Sequence, residues 1–247
     1  MMISETTLNK LATLDTATIC NVIELFEIRP RHQGYVRDAS IRCNYPNLSP
    51  IVGYAATAVA RSTYAPSGQD SAAYSWLERQ VERFSELSGP PIVVIEDLDR
   101  PQTAAMFGDM MCTAYKTFGA RGLITNGAGR DIDAIEQLGG FQLYTNGEIC
   151  SHGYFQLTEL YIPVEIGGLV IHPDDLLHAD RNGIVHIPKE IASEVAELGD
   201  AFIESETLFV EAMNNPTVTF KQFKEARAAS KVMQKALRDR IVGAKRS

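Results

Sequence analysis

The sequence predicts an α/β fold built on parallel β-α-β units, and three observations carry that reading. PIVVIED (91–97), GLITN (122–126) and FQLYTN (141–146) read as strands, mostly apolar in their interiors, the pattern of strands covered on both faces. Segments of helical period lie between them, from about Thr103 to Phe118 and over 132–139. The hydrophobic fraction, 45% of 247 residues, is enough for the core that helices on both faces of a sheet require.

The remaining elements follow in order. Residues 7–26 have apolar positions at helical spacing, broken at Asp15-Thr16, where a cap starts a second helix. Residues 28–50 are rich in Pro, Arg and Asn and predict a long loop of functional or partner-contacting type. IVGYAATAVA (51–60) reads as a strand. Residues 71–87 read as an amphipathic helix whose apolar spacing includes Tyr74, Leu77, Val81 and Phe84, and Trp76 is expected in the core. After Cys150 the pattern changes: 163–171, 175–180 and 183–188 are short strands joined by Gly-Gly, Asp-Asp and Asn-Gly turns, a small mixed β layer. Two long helices, broken near Pro216, form a helical C-terminal extension. We expect one catalytic domain over 1–190, with residues 191–247 as that extension.

Bulk properties exclude several functions. A net charge of -8 argues against a nucleic-acid surface, and the one basic stretch, 224–247, reads as the solvated face of a helix. No apolar run reaches the ~20 residues of a spanning helix, and the N-terminus carries no apolar leader segment. The expectation is a cytoplasmic protein without a membrane or nucleic-acid partner. Cys20, Cys43, Cys112 and Cys150 show no C-x-x-C spacing, which predicts reduced thiols acting as small buried hydrophobes.

Two glycine–acid stretches carry the candidate chemistry. FGDMM holds Gly108 and Asp109 near a helix start, and GAGRDID holds Arg130 and Asp131 where a strand turns into a helix. Ligands of parallel sheets bind outside the carboxyl ends of the strands, where helix N-termini expose unpaired N–H groups. An arginine there offers a planar bidentate donor to an anion. An aspartate there caps its helix or ligates a hard cation. The dinucleotide fingerprint fails, because Ile132 stands where G-x-G-x-x-G needs its third small residue. The residues alone therefore predict an anion site that could include a metal.

Gly108-Asp109, then twenty residues, then Arg130-Asp131 resembles the G-D-x20-R-D signature of class II pyruvate aldolases of the 4-hydroxy-4-methyl-2-oxoglutarate aldolase family, in the RraA-like superfamily. The likeness runs over roughly residues 10–190 and includes IVGYAATA, GARGLITNGAGRDIDAI and PVEIGGLVIHPDDLLHADRNGIVHIP. It implies a layered α-β-β-α sandwich of the swivelling phosphohistidine-domain type. It also implies a metal-dependent carbon–carbon lyase that forms pyruvate through an enolate, with oxaloacetate decarboxylation at the same site. By resemblance Asp131 ligates Mg²⁺ or Mn²⁺, Arg130 holds the pyruvyl group and Asp109 orders a metal-bound water. The backbone of Gly108, Asp109, Met110 and Met111 would cradle the substrate carboxylate. Glu206, or failing that Glu204, would reach a neighbouring subunit's metal site in a homotrimer or a dimer of trimers. Arg130 and Asp131 would then face the ligand and not each other.

The sequence departs from the family pattern at Cys20-Asn21, Pro173-Asp174-Asp175 and His152-Gly153. His152 is either a polar group at the substrate's distal end or a satisfied loop histidine. Asp180 reads as a turn former. Two other functions remain from the sequence: a non-catalytic binding protein like the superfamily's ribonuclease regulator, and the same metal site acting on a sugar-derived 2-oxo acid. The regulator lacks the aspartate after the arginine, so the intact pair favours an enzyme.

Overall fold

The computed structural model of the chain describes residues 3–65 and 73–244. It opens with α1 (Glu5–Leu11) and α2 (Thr16–Leu25). The Asp15 carboxylate accepts from the Thr18 N–H at 2.6 Å, the cap that the sequence places there. Residues 28–50 are mostly irregular, with one short strand, β1 (Arg42–Cys43). Next come β2 (Ile51–Arg61), α3 (Ala73–Glu82) with a 3₁₀ turn at Arg83–Glu86, β3 (Pro91–Asp97), α4 (Asp109–Thr117), β4 (Gly122–Thr125), α5 (Ile132–Glu136) and β5 (Gln142–Thr145). The first two residues of the helix expected over 71–87 fall outside the described residues.

Strands β2, β3, β4 and β5 run parallel in that order, as the alternation predicts. Their side chains alternate between two buried faces. Ala56, Ala58, Val93 and Ile95 pack toward α3 and α4 with Phe84 and Tyr115. Ala55, Val59, Ile92 and Val94 pack on the other face with Val164, Ile166 and Ile171. This double coverage is why charged residues appear only at the ends of the runs.

The C-terminal half departs from expectation in two places. Beyond β6 (Gln156–Leu160), which the sequence reading lacks, come β7 (Val164–Ile166), β8 (Leu169–Ile171), β9 (Leu176–Asp180) and β10 (Gly183–His186). Only β7 and β8 form a separate small sheet; β9, β10 and β6 join the main one, which has eight strands. The reason is the length of β2. Its first residues pair with β9 and its last with β6, both antiparallel, so one edge accepts two partners. The expected layered sandwich is therefore seen as one mixed sheet with a hairpin beside it.

The second departure concerns α4, which begins at Asp109 and not near Thr103. Residues 104–107 are buried and irregular; the Met106 N–H donates to the Ala128 carbonyl at 2.8 Å and Ala105 bridges Ala128. Sheet-like pairing there outweighs local helix preference.

Helices α6 (Ala192–Met213) and α7 (Phe220–Ala244) complete the chain. Val195, Leu198 and Phe202 share a core with Leu11, Ile19, Val22, Leu237 and Ile241, so the two terminal helical segments hold each other. Trp76 is half-buried against the α3 core, with the Arg79 guanidinium over its ring. No helix among the described residues is long and apolar enough to cross a membrane.

One polar node ties this helical core to the sheet. His178 is fully buried on β9; its Nε2 lies 3.0 Å from the Leu14 carbonyl and 3.2 Å from that of Leu11. Carbonyls only accept, so Nε2 carries the proton and Nδ1 accepts from the Thr16 hydroxyl at 2.9 Å. Asp180 accepts from the Thr16 and Asn182 N–H groups, the turn-forming role expected of it. Burial holds the His178 imidazole below the usual histidine range, more strongly than Asp180 raises it. The unfolded chain therefore binds a proton that the folded chain refuses. Stability is fully present above the ordinary histidine pKa of ~6.5 and is lost as pH falls below it. His186, also held low by burial, acts in the same window. Thermal unfolding measured from pH 8 to pH 5 should show Tm falling below about pH 6.5, with a shallower slope in His178→Gln than in wild type. Equal slopes would remove His178 from this account.

Candidate active site

The turn after β4 carries the site. It is fixed from both sides before any charged residue is reached. The Asn126 side-chain carbonyl accepts from the Asp97 N–H at 2.7 Å, and the Asn126 backbone carbonyl accepts from Gln102 at 2.9 Å. The Gly127 carbonyl accepts from the Asn146 N–H, and Gly129 exchanges bonds with Gly147 and Ile149. Gly129 lies against the Phe107 ring, where a Cβ would stand 2.2 Å from a ring carbon. Asp97 itself is buried at the end of β3, and one of its carboxylate oxygens has no hydrogen-bond partner among the described residues. Burial holds its carboxyl above the usual carboxylate range.

Asp131 occupies the N-cap position of α5, and its carbonyl accepts from the Ile135 N–H. Its backbone is left-handed, with φ 60° and ψ 31°. Aspartate tolerates that region better than most residues, but a capping side chain needs the extended one. The Asp131 carboxylate accordingly makes no bond to its own helix. It crosses to α4, where Oδ2 accepts from the Asp109 N–H at 3.2 Å. The positive end of the α4 dipole favours an anion there. Gly108 makes the approach possible: a Cβ on it would stand 2.6 Å from Asp131 Oδ2 and 3.1 Å from Arg130 Nε.

One expectation is corrected here. Arg130 and Asp131 are in contact, with Nε 3.5 Å from Oδ2. Their side chains are 35% and 36% exposed, so the pair contributes no more than about 1 kcal/mol and exchanges readily for a ligand. The expected carboxylate cradle is also partly filled by the protein. The Asp109 N–H serves Asp131, and the Met110 N–H donates to Asp109 Oδ1 at 2.7 Å. Helix-start donors need acceptors, and these acids are the near ones. Met110 is exposed and Met111 packs against the α4 core.

A cleft of about 680 Å³ opens over this pair, lined by Asp109, Gly129, Arg130, Asp131, Asp133, Glu148 and Cys150, with Ile132, Ala134 and Ile149. Asp109, Arg130 and Asp131 thus meet in one cavity. His152 does not line it; the ring is exposed, with Nδ1 2.8 Å from the Gly153 carbonyl. Glu206 does not line it either. It lies on α6, with Oε1 3.5 Å from Asn21 Nδ2, and burial, then Asp15, raises its carboxyl pKa. Glu204 is exposed on the same helix.

The sequence reading missed Asp133 and Glu148. Glu148 follows β5 and bridges Gly129, so the strand-end rule that found Arg130 would have found it on the next strand. Cys150 was expected buried and is exposed at the cleft, where the Arg130 guanidinium lies 3.5 Å from its carbonyl. Cys112 is buried as expected, which pushes its thiol far up. Cys20 and Cys43 are half-buried, with the Cys20 thiol raised to about 11 by burial. Among the described residues no group of three or more His, Cys, Asp or Glu side chains is arranged to hold a metal ion.

The chain is similar to several known proteins. A protein of Halalkalibacterium halodurans, provisionally named 4-hydroxy-4-methyl-2-oxoglutarate aldolase, is 32% identical over 103 residues, 41% of this chain and 49% of that protein. A protein of Pseudomonas fluorescens with the same provisional name is 30% identical over 113 residues, 45% of this chain and 68% of that one. The chain thus matches about half the length of the first and two thirds of the second. Among solved structures, an uncharacterized protein from Pseudomonas syringae superposes with a TM-score of 0.70 at 22% identity, covering 92% of this chain and 95% of that one. Streptomyces coelicolor RraAS2, described as an unusual member of the RNase ES inhibitor RraA protein family, superposes at 0.64 and 21% identity, covering 87% and 99%. These two likenesses show the fold. Residues 16–186, which hold the sheet and every residue of the cleft, match the RraA-like family model, described as Aldolase/RraA, and the chain belongs to that family.

Proposed function

We propose that this protein is a divalent-metal-dependent lyase that releases pyruvate from a small 2-oxo acid, of the 4-hydroxy-4-methyl-2-oxoglutarate aldolase type, with oxaloacetate decarboxylation as a second reaction at the same site. The observation that carries the reading is the Asp131 carboxylate, turned off its own helix onto the start of α4 and sharing a cleft with Arg130 and Asp109. A carboxylate needed only as a cap would not be held in left-handed backbone away from the N–H groups it precedes. The provisional names of relatives about 30% identical point the same way.

The residues fit a cation of one particular kind. The chain offers Asp131, a third exposed, with Asp109 beside it, and no three-ligand cage among the described residues. That suits Mg²⁺ or Mn²⁺ retaining most of its waters, held by one carboxylate. Such an ion supplies Lewis-acid stabilisation of the 2-oxo oxygen. The rest falls to the protein. Arg130 exchanges its weak contact with Asp131 for the pyruvyl group and neutralises the oxyanion as the C3–C4 bond breaks. Asp109 holds the water that takes the proton from the C4 hydroxyl and returns one to C3 of the enolate, giving pyruvate and a carbonyl product. Gly108 keeps room for both side chains.

The active unit in this reading is a homotrimer or a dimer of trimers, in which Glu206, or Glu204, completes the cleft of a neighbouring subunit. Its support is that Glu206 is outside the cleft of its own chain, on helices that expose Val210, Phe220 and Val232.

The test is a coupled pyruvate-release assay on several 2-oxo acids with and without Mg²⁺ or Mn²⁺. Pyruvate should form only with the ion, and Asp131→Ala should nearly abolish it. Arg130→Ala should lower kcat about 10²–10³-fold, the cost of one oxyanion donor. Metal-independent turnover, or equal rates in wild type and Asp131→Ala, would end this reading and leave a non-catalytic binding protein. In Gly108→Ala the new methyl must displace the Asp131 carboxylate or the Arg130 side chain. Its circular dichroism should match wild type while pyruvate release falls at least about tenfold. Unchanged turnover in that variant would show that their placement over Gly108 is immaterial.

A further inference from the structure

Helix α5, which Asp131 begins, is five residues long, and a single turn has too few internal bonds to fix its own start. The left-handed backbone of Asp131 adds strain at that point. A group outside the helix must therefore hold the residue that follows. Tyr45 does so: its phenolic O–H donates to the Ile132 carbonyl at 2.6 Å. The Tyr45 ring is buried in one cluster with Cys112, Ile135 and Phe141. Burial pushes the phenol well above the usual tyrosine range, with Cys112 and the nearby acids adding to it, so the hydroxyl remains a donor at neutral pH. Tyr45 is itself anchored to the strand beside the site. β1 pairs with β5 through Arg42 opposite Thr145 and Cys43 opposite Tyr144. The Asn44 N–H donates to the Leu143 carbonyl, and Gln142 Nε2 to the Tyr45 carbonyl, each at 2.9 Å. The 28–50 segment thus runs along β5 and returns one hydroxyl to the helix start beyond β4, with all of these contacts inside one chain.

We infer that Tyr45 is a positioning residue whose hydroxyl fixes the start of α5 and thereby the direction of the Asp131 carboxylate, an inference that rests on the lyase reading above. Tyr45 does not line the cleft and acts through the backbone of Ile132. Without that anchor the start of α5 is free to take the extended conformation of an ordinary N-cap. The Asp131 carboxylate then turns back onto the N–H groups of its own helix and leaves the cleft.

The test compares wild type with Tyr45→Phe, which keeps the ring and removes only the hydroxyl. Mn²⁺ alone is titrated without substrate, followed by the electron paramagnetic resonance of the free ion, with Asp131→Ala as the blank. Pyruvate release with Mn²⁺ is measured beside it. In Tyr45→Phe the Mn²⁺ dissociation constant should rise about tenfold, the equivalent of one hydrogen bond at the site's support, and kcat should fall by a similar factor. Ile187→Val, a fully buried change in the core of the terminal helices, is the comparison: it should lower Tm and leave the Mn²⁺ titration at its wild-type value. A Tyr45→Phe titration that overlays wild type overturns the inference and leaves the lyase intact. So does an equal shift in Ile187→Val, which makes the effect one of stability alone. Wild type that binds Mn²⁺ but releases no pyruvate from any 2-oxo acid ends the lyase reading and leaves the titration to decide for Tyr45. Wild type that binds no Mn²⁺ overturns both.

Discussion

An aspartate in left-handed backbone cannot cap the helix it begins, so its carboxylate has to find donors elsewhere. At Asp131 the nearest are the first N–H of α4 and the neighbouring guanidinium. That crossing couples the starts of two helices that follow successive parallel strands, and it places an anion where the α4 dipole welcomes one. The turn reaches α4 only because Gly108 has no side chain, and Gly129 leaves room for the Phe107 ring. Each of these conditions is local, but the cleft exists only when all of them hold.

Much of this architecture could be read from the sequence. Val93 and Ile95 point to the helical layer while Ile92 and Val94 point to the β7–β8 hairpin on the opposite face, and such burial leaves an apolar run that needs no structure to recognise. Asp15 and Gly108 likewise mark helix starts by chemistry. Family resemblance supplied the roles of Arg130 and Asp131; the residues themselves gave only their place at a strand end. What stayed hidden depends on contacts distant in sequence. Residues 104–107 have helix-compatible side chains but pair with Ala128, and β6 was missed because nothing in 156–160 announces that β2 has a free half-edge. The contact between Arg130 and Asp131 follows from a φ of 60°, which no residue pattern specifies.

The electrostatics of the cleft were hidden for the same reason. Asp133 and Glu148 are ordinary surface acids along the chain, and they become neighbours only when β5 aligns beside β4 and Glu148 bridges Gly129. Arg130 then stands among an excess of carboxylates.

The core that joins Leu11 and Val22 to Leu237 and Ile241 is far along the chain from the 108–150 stretch that builds the cleft. The molecule therefore keeps its endurance and its selectivity in separate places. Drift among the buried positions of those terminal helices alters how long the fold survives, at a distance from the cleft of the same chain. An exchange at Gly129 is the exception, because any side chain there meets the buried Phe107 ring and disturbs scaffold and cleft together.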